Sequence, residues 1–213
     1  MITVVIQAGG ESRRMGRDKA LVPFLGYPLI ERVLARVRPL ADELLITTNH
    51  PAEFRFLKVP LITDRIPNRG ALGGLFTALS TARNPLVAVV ACDMPFVNPE
   101  ILVAASDLLH KNKIDAVIPK TAQGAEPFHA VYRAQTCLPA IEAALHKNQW
   151  RADAWFPAIH VRFLSSEEIY RFDPLGLAFF NINTNEDLVQ AECLAQEYDL
   201  HLSKTRGLPG KRT

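Results

Sequence analysis

Apolar residues in this chain fall into short runs that alternate with longer amphipathic stretches. Ile2–Ile6 is apolar apart from Thr3, as expected of a strand covered on both faces. Leu21–Pro23 reads as a brief extended piece and Gly26-Tyr27-Pro28 as a turn. Leu29–Leu40 has i, i+3/i+4 spacing, which predicts a helix with Ile30, Val33, Leu34 and Val37 inward and Arg32, Arg36 and Arg38 outward. Leu44–Thr48 and Val59–Thr63 read as strands, the second followed by the turn-rich loop Pro67–Gly70. Gly73–Ala82 resumes helix, and Leu86–Ala91 is a β-prone run stopped by Cys92-Asp93-Met94-Pro95. Pro99–Lys111 is helical, with a proline suited to its first turn. Ala116–Pro119 and Ala130–Arg133 read as strands, Thr136–Lys147 as a helix, His160–Leu164 as a strand and Glu186–Tyr198 as the last helix.

Strand and helix alternating at these intervals predict an α/β chain of βαβ units with a mostly parallel sheet. Nothing marks a linker or an internal repeat, so one domain is expected over residues 1–202. The end of the chain, Ser203–Thr213, is basic, has no apolar periodicity and is expected to be disordered.

Composition narrows the picture. With 213 residues and a formal net charge of +2, the chain can bury a real core and has no global basic excess to suggest a nucleic-acid partner. Three widely spaced cysteines, Cys92, Cys137 and Cys193, form no C-x-x-C pair, which argues against a disulfide framework and a zinc site. The chain enters its first strand without a signal-peptide pattern, and no apolar run approaches the roughly 20 residues that cross a bilayer. A cytoplasmic chain with no membrane partner is the expectation. No long apolar edge or heptad run is present, so a monomer is expected.

Candidate chemistry sits where the predicted strands end. In an open parallel sheet, ligands bind at the carboxyl ends of strands. Gly9–Lys19 follows the first strand, Asn49 the second, Asp64 the third and Asp93 the Leu86–Ala91 strand. The first of these loops carries Gly9 and Gly10 beside three arginines and Lys19, a pattern suited to an anion approached by backbone N–H groups. It matches neither a Walker A loop nor G-x-G-x-x-G. Asp93, directly after a buried strand, suits a hard cation such as Mg²⁺ that keeps several waters. The scattered histidines show no metal-ligand spacing, and His129 alone stands inside a motif.

Q-A-G-G-E-S-R-R-M-G-R-D-K-A-L resembles the A-G-G-x-S-x-R-M-G-x-D-K signature of the molybdenum cofactor guanylyltransferases. Asp64 with Gly70-Ala71-Leu72-Gly73-Gly74-Leu75 is similar to that family's D…G-P-L-x-G loop, and Ala91-Cys92-Asp93-Met94-Pro95 to its C-D-x-P motif. Glu126–Tyr132 resembles its P-x-x-A-x-Y segment, and Phe180-Asn181-Ile182-Asn183-Thr184 its N-[IV]-N-T motif. These span Ile2 to Leu188 in order. Two positions depart: Gln7 stands where the family usually has leucine, and Ala71 replaces the usual proline.

The resemblance implies a Rossmann-like three-layer αβα nucleotidyltransferase domain, its nucleotide half at about 1–120 and its acceptor half at about 121–202. It implies transfer of GMP from GTP to the phosphate of Mo-molybdopterin, with release of pyrophosphate. Gln7, Ala8, Gly9, Gly10, Lys19, Asn49, Asp64, Gly73 and Asp93 would then line the nucleotide site. Arg14, Lys19 and Asp93 would carry catalysis, with Mg²⁺ on Asp93. His129, Arg151, Asn181 and Asn183 would meet the acceptor. Transient contacts with other cofactor-biosynthesis proteins or recipient molybdoenzymes are expected on the same ground. A related enzyme using CTP or another phosphate acceptor, or a non-catalytic nucleotide-binding module, are the other readings of these residues.

Overall fold

In the computed structural model, which describes residues 1–9 and 18–205 (side chains only through Glu197 at the C-terminal end), strand β1 (Ile2–Gln7) is buried along its whole length. The chain continues through the small antiparallel hairpin β2 (Pro23–Phe24) and β3 (Tyr27–Pro28), α1 (Leu29–Val37), β4 (Glu43–Thr47), α2 (Pro51–Phe54) and β5 (Leu61–Ile62). Then come α3 (Gly70–Thr81), β6 (Leu86–Ala91), α4 (Pro99–Lys111), β7 (Ala116–Thr121), β8 (Gly124–Ala125) and β9 (His129–Arg133). The last elements are α5 (Ala134–His146), β10 (Val161–Leu164), α6 (Ser166–Tyr170) and α7 (Asn185–Thr205).

The main sheet has the order β10-β7-β9-β6-β1-β4-β5, with β8 paired to β7. Strand β1 lies between β6 and β4 and is parallel to both, β5 is parallel to β4, and β10 is parallel to β7. Strand β9 runs antiparallel to β6 and β7. Residues 122–128 are all that separate β7 from β9, too few for the crossover of a dozen or more residues that a parallel partner needs. The expected mostly parallel α/β sheet is what the chain forms.

Helices cover both faces. Val4 and Ile6 pack with Ile30 and Val33 of α1 and Ile101 and Leu102 of α4. Val5, Val87 and Val89 pack on the opposite face with Leu72, Leu75 and Leu79 of α3 and Ile141 of α5. A third cluster joins Ala191 and Ala195 of α7 to Phe24, Leu29, Phe96 and Ile182. Local chemistry sets several helix starts. Asn98 caps α4 by accepting from the Glu100 N–H, and Ser165 with Glu168 forms a capping box on α6. No helix among the described residues is long and apolar enough to cross a membrane.

Four local expectations change. Helix α3 starts at Gly70, three residues before the expected Gly73, so Gly70–Leu72 belong to the helix rather than to the loop before it. Tyr27-Pro28, expected in a turn, is instead strand β3. Helix α7 continues to Thr205, so Ser203–Thr205 of the expected tail are helical, while residues 206–213 lie outside the described residues. Arg32 and Arg36 are half-buried, not solvent-facing, and donate from Nε to the carbonyls of Pro95 (3.0 Å) and Val97 (2.7 Å). The buried stripe of α1 is thus wide enough to bring both guanidinium stems onto the chain that follows β6.

Leu75 is fully buried between α3 and the sheet. Leu75→Ala should cost about 2–5 kcal/mol, seen as a lower urea midpoint at unchanged slope.

Candidate active site

Because β1, β4, β5 and β6 are parallel, Gln7, Thr47, Ile62 and Ala91 all end on one edge of the sheet. The ladder runs one residue beyond each central strand. Ala8 N–H donates to the Thr47 carbonyl at 2.8 Å, and Cys92 N–H to the Gln7 carbonyl at 3.2 Å. Ala8-Gly9 and Asp93 therefore leave the sheet side by side. A side chain on Gly9 would meet nothing within 4 Å, so its glycine leaves open space above the strand end rather than relieving a clash.

Lys19 returns to this rim at the head of a short 3₁₀ turn, Lys19–Leu21. Asp18 caps that turn, its Oδ1 accepting from the Ala20 N–H at 2.9 Å. The Lys19 Nζ donates to Asn183 Oδ1 at 2.7 Å and lies 3.4 Å from Asp93 Oδ2. Burial pushes the Asp93 carboxyl above the usual carboxylate range, against the opposing pull of the Lys19 ammonium. Asn183 is brought here by backbone, since the neighbouring Ile182 N–H donates to the Asp93 carbonyl at 3.0 Å.

Two groups of residues that the sequence reading missed hold this arrangement. Asp187 Oδ2 accepts from the N–H groups of Asn183 (2.8 Å) and Thr184 (2.9 Å), while Thr184 Oγ1 accepts from the Asp187 N–H (3.1 Å). The hydrogen bond from Asn183 lowers the Asp187 pKa. The signal was legible as T-x-x-D at a helix start, a variant of the capping box. Arg32 and Arg36, one helical turn apart on α1, grip the Pro95–Val97 segment after Asp93; their i, i+4 spacing was the available clue.

The Asn49 and Asp64 side chains form a second pair on the rim. Asn49 Nδ2 donates to Asp64 Oδ2 at 2.9 Å, and Asn49 Oδ1 accepts from the Asp64 N–H at 3.3 Å. Gly73 is buried, and a Cβ there would come within 2.7 Å of Arg69 Cβ and 3.2 Å of the Ile66 carbonyl. Its glycine lets the first turn of α3 close against residues 66–69. Gln7 is buried as well, its Nε2 donating to the Ala71 carbonyl at 3.4 Å.

The expected acceptor residues do not come together as one group. Asn181 is half-buried and donates to the Phe179 carbonyl at 3.1 Å, two residues from Asn183. His129 is fully enclosed. Its Nε2 lies 3.2 Å from the Asn98 carbonyl and its ring packs 4.9 Å from the ring of Phe179. Burial lowers its pKa to about 4, so it is neutral at pH 7. In this structure it takes a packing position against Phe179 rather than an exposed one at the rim. Arg151 is exposed and forms a double hydrogen bond to Asp153, at 3.0 and 2.9 Å. Its neighbour Trp150 packs on Arg69 and against Gly70, so Arg151 sits by the entrance to α3 and not with Asn181 and Asn183. Gly10 and Arg14 lie outside the described residues.

Among the described residues, no three His, Cys, Asp or Glu side chains gather into a metal cage. What the rim offers is one largely buried carboxylate, on Asp93, whose charge Lys19 only partly offsets, with the amide oxygen of Asn183 on the same cation. That donor set fits a hard divalent ion that draws most of its oxygens from water and substrate phosphates.

Residues 4–158 match the MobA-like NTP transferase domain. The chain is 34% identical to a probable molybdenum cofactor guanylyltransferase of Pelotomaculum thermopropionicum, covering 91% of this chain and 93% of that one. It is also 34% identical to a molybdenum cofactor guanylyltransferase of Desulfosudis oleivorans, with coverages of 90% and 94%. The crystal structure of molybdopterin-guanine dinucleotide biosynthesis protein A from Archaeoglobus fulgidus superposes with a TM-score of 0.80 at 29% identity, covering 92% and 99%. A CMP:2-keto-3-deoxy-manno-octonic acid synthetase shares the fold at 15% identity, with a TM-score of 0.69.

A carboxyl group with a raised folded-state pKa contributes stability that is fully present below its ordinary value of 3.8 and is lost as the pH rises through the raised value. Asp93→Asn should remove that loss. Melting temperature against pH is expected to fall less above pH 4 in the variant, leaving it more stable than the wild type at pH 7. A variant less stable at pH 7 would show that the pairing with Lys19 outweighs burial.

Proposed function

Because the chain belongs to the molybdenum cofactor guanylyltransferase family of MobA-like NTP transferase domains, we propose that it transfers GMP from GTP to the terminal phosphate of Mo-molybdopterin. The products are molybdopterin guanine dinucleotide and pyrophosphate. The observation that carries this reading to residues is the sharing of the Lys19 ammonium by Asp93 and Asn183. On this reading the Lys19 contacts to Asp93 and Asn183 would link the nucleotide side of the rim to the acceptor side at one cation.

Both reactants are anionic, so charge repulsion is the main barrier, and positioning with charge neutralisation supplies most of the acceleration. Ala8 and Gly9 present backbone to the nucleotide at the end of β1, and the Asn49–Asp64 pair holds the nucleoside. An acceptor phosphate oxygen attacks the α-phosphorus, forming a P–O bond as the bond to the β-phosphate oxygen breaks. The bonding electrons leave with pyrophosphate, whose charge Lys19 and Arg14 offset. The attacking phosphate is already deprotonated near neutral pH, so no general base is needed and a neutral, buried His129 is no obstacle. Asp93 would hold Mg²⁺, which supplies Lewis-acid stabilisation of the phosphate charge when bound. Asn183 and Asn181 face the acceptor.

Thermal shift with GTP, CTP and ATP, each with and without Mg²⁺, tests the reading. Selective stabilisation by GTP with Mg²⁺ is expected, whereas preference for CTP would replace the guanylyl assignment with a cytidylyl one. GTP binding without pyrophosphate release in the presence of Mo-molybdopterin would leave a binding module. Asp93→Ala should abolish pyrophosphate release with the fold intact, and Lys19→Ala should lower it about 100-fold or more.

A further inference from the structure

Gln7 is the last residue of β1, and strand alternation turns its side chain to the same face as Val5, toward α3. It is more than nine-tenths buried, yet its Oε1 accepts no hydrogen bond. Buried polar atoms are seldom left in this state, and those that are call for a ligand or a functional reason. The orientation of the amide is not arbitrary. Nε2 donates to the Ala71 carbonyl, and turning the amide over would set oxygen against oxygen. The acceptor is thus enclosed beside the first turn of α3 without a partner.

Gly74 makes the space for the amide, whose Nε2 lies nearest to it. A Cβ on Gly74 would run into the Gln7 carboxamide, the tightest approach met by any glycine of the described chain. Strand end, helix turn and glycine together form a built seat for one amide, beside the point where Ala8 and Gly9 leave the sheet. Leucine, which the family resemblance puts at this position, would fill the same seat with no acceptor to offer.

We propose that Gln7 is a base-reading residue whose Oε1 accepts a hydrogen bond from the exocyclic 2-amino group of bound guanine. This rests on the guanylyltransferase reading above and adds one contact by which this chain recognises the base, beyond those available to relatives with leucine here. An acceptor needs a donor, and guanine has two, N1–H and the 2-amino group. The 2-amino group projects farther from the ring, as a side chain recessed at the strand end requires. Neither adenine nor cytosine has an amino group at this position of the ring. Inosine differs from guanosine by this group alone.

The test is calorimetric titration of the full chain with GTP and with ITP, both with Mg²⁺, for the wild type, Gln7→Leu and Gln7→Met. The wild type should bind GTP about tenfold tighter than ITP. In both variants the ratio should fall at least about threefold, through weaker GTP binding and unchanged ITP binding. A wild type that does not distinguish the two nucleotides overturns the proposal. So does a variant that keeps the ratio, or one that loses affinity for both nucleotides equally while its melting temperature is maintained. Binding of CTP but of neither GTP nor ITP would instead remove the guanylyltransferase reading itself, which separates the two failures. Leucine and methionine exceed glutamine by less than a methylene, and the two variants give independent readings should one of them fold poorly.

Discussion

One ammonium group holds the two halves of the candidate site together. Lys19 Nζ reaches Asn183, 164 positions along the chain, and Asp93, 74 positions along, from a turn capped by Asp18. Each partner alone would be costly, because a half-buried carboxylate and a half-buried amine both lose hydration. Shared, they make a polar cluster whose net charge a bound anion or cation can still change. The raised pKa of Asp93 marks the balance as incomplete. A carboxylate that its ammonium does not fully offset can still take up a cation, as the reaction proposed above would require.

Hydrogen bonds to backbone groups on both sides make that meeting possible. The Ile182 N–H on the Asp93 carbonyl, the Asp187 cap on Asn183 and Thr184, and the two arginines on the Pro95–Val97 carbonyls fix the Asp93 turn and the Asn183 turn against each other. The reversal of β9 adds the third wall. Its antiparallel pairing with β6 puts its first residues, not its last, at the rim, so Phe128 accepts from the Ala91 N–H just before Asp93. His129, buried one residue further on, supports the Phe179–Asn181 segment from below.

The nucleotide side follows a different logic, in which small residues set where larger ones can lie. Gly73 lets α3 close on residues 66–69, and Gly74 admits the Gln7 carboxamide. The end of β1 and the first turns of α3 therefore approach closely because two glycines stand on the facing helix.

Much of this was written in the sequence. Unbroken apolar runs such as Ile2–Ile6 and Leu86–Ala91 determined buried strands, their alternation with amphipathic stretches determined a mainly parallel sheet, and parallel strands bring Gly9, Asn49, Asp64 and Asp93 to one rim. Tertiary structure alone decided which residues meet there. It enclosed His129, which its motif had suggested for the acceptor, carried Arg151 to the α3 entrance, drew Arg32 and Arg36 inward and placed Asn183 on Lys19. The reason is physical. Periodicity records whether a position is covered and is a local property, whereas the partner that covers it depends on strand order, crossover length and register between segments far apart in the chain. The glycine loop after β1 is legible as an anion site from its residues alone; its pairing with Asp93 and Asn183, and the unpaired oxygen of Gln7 at its root, exist only once the sheet has formed.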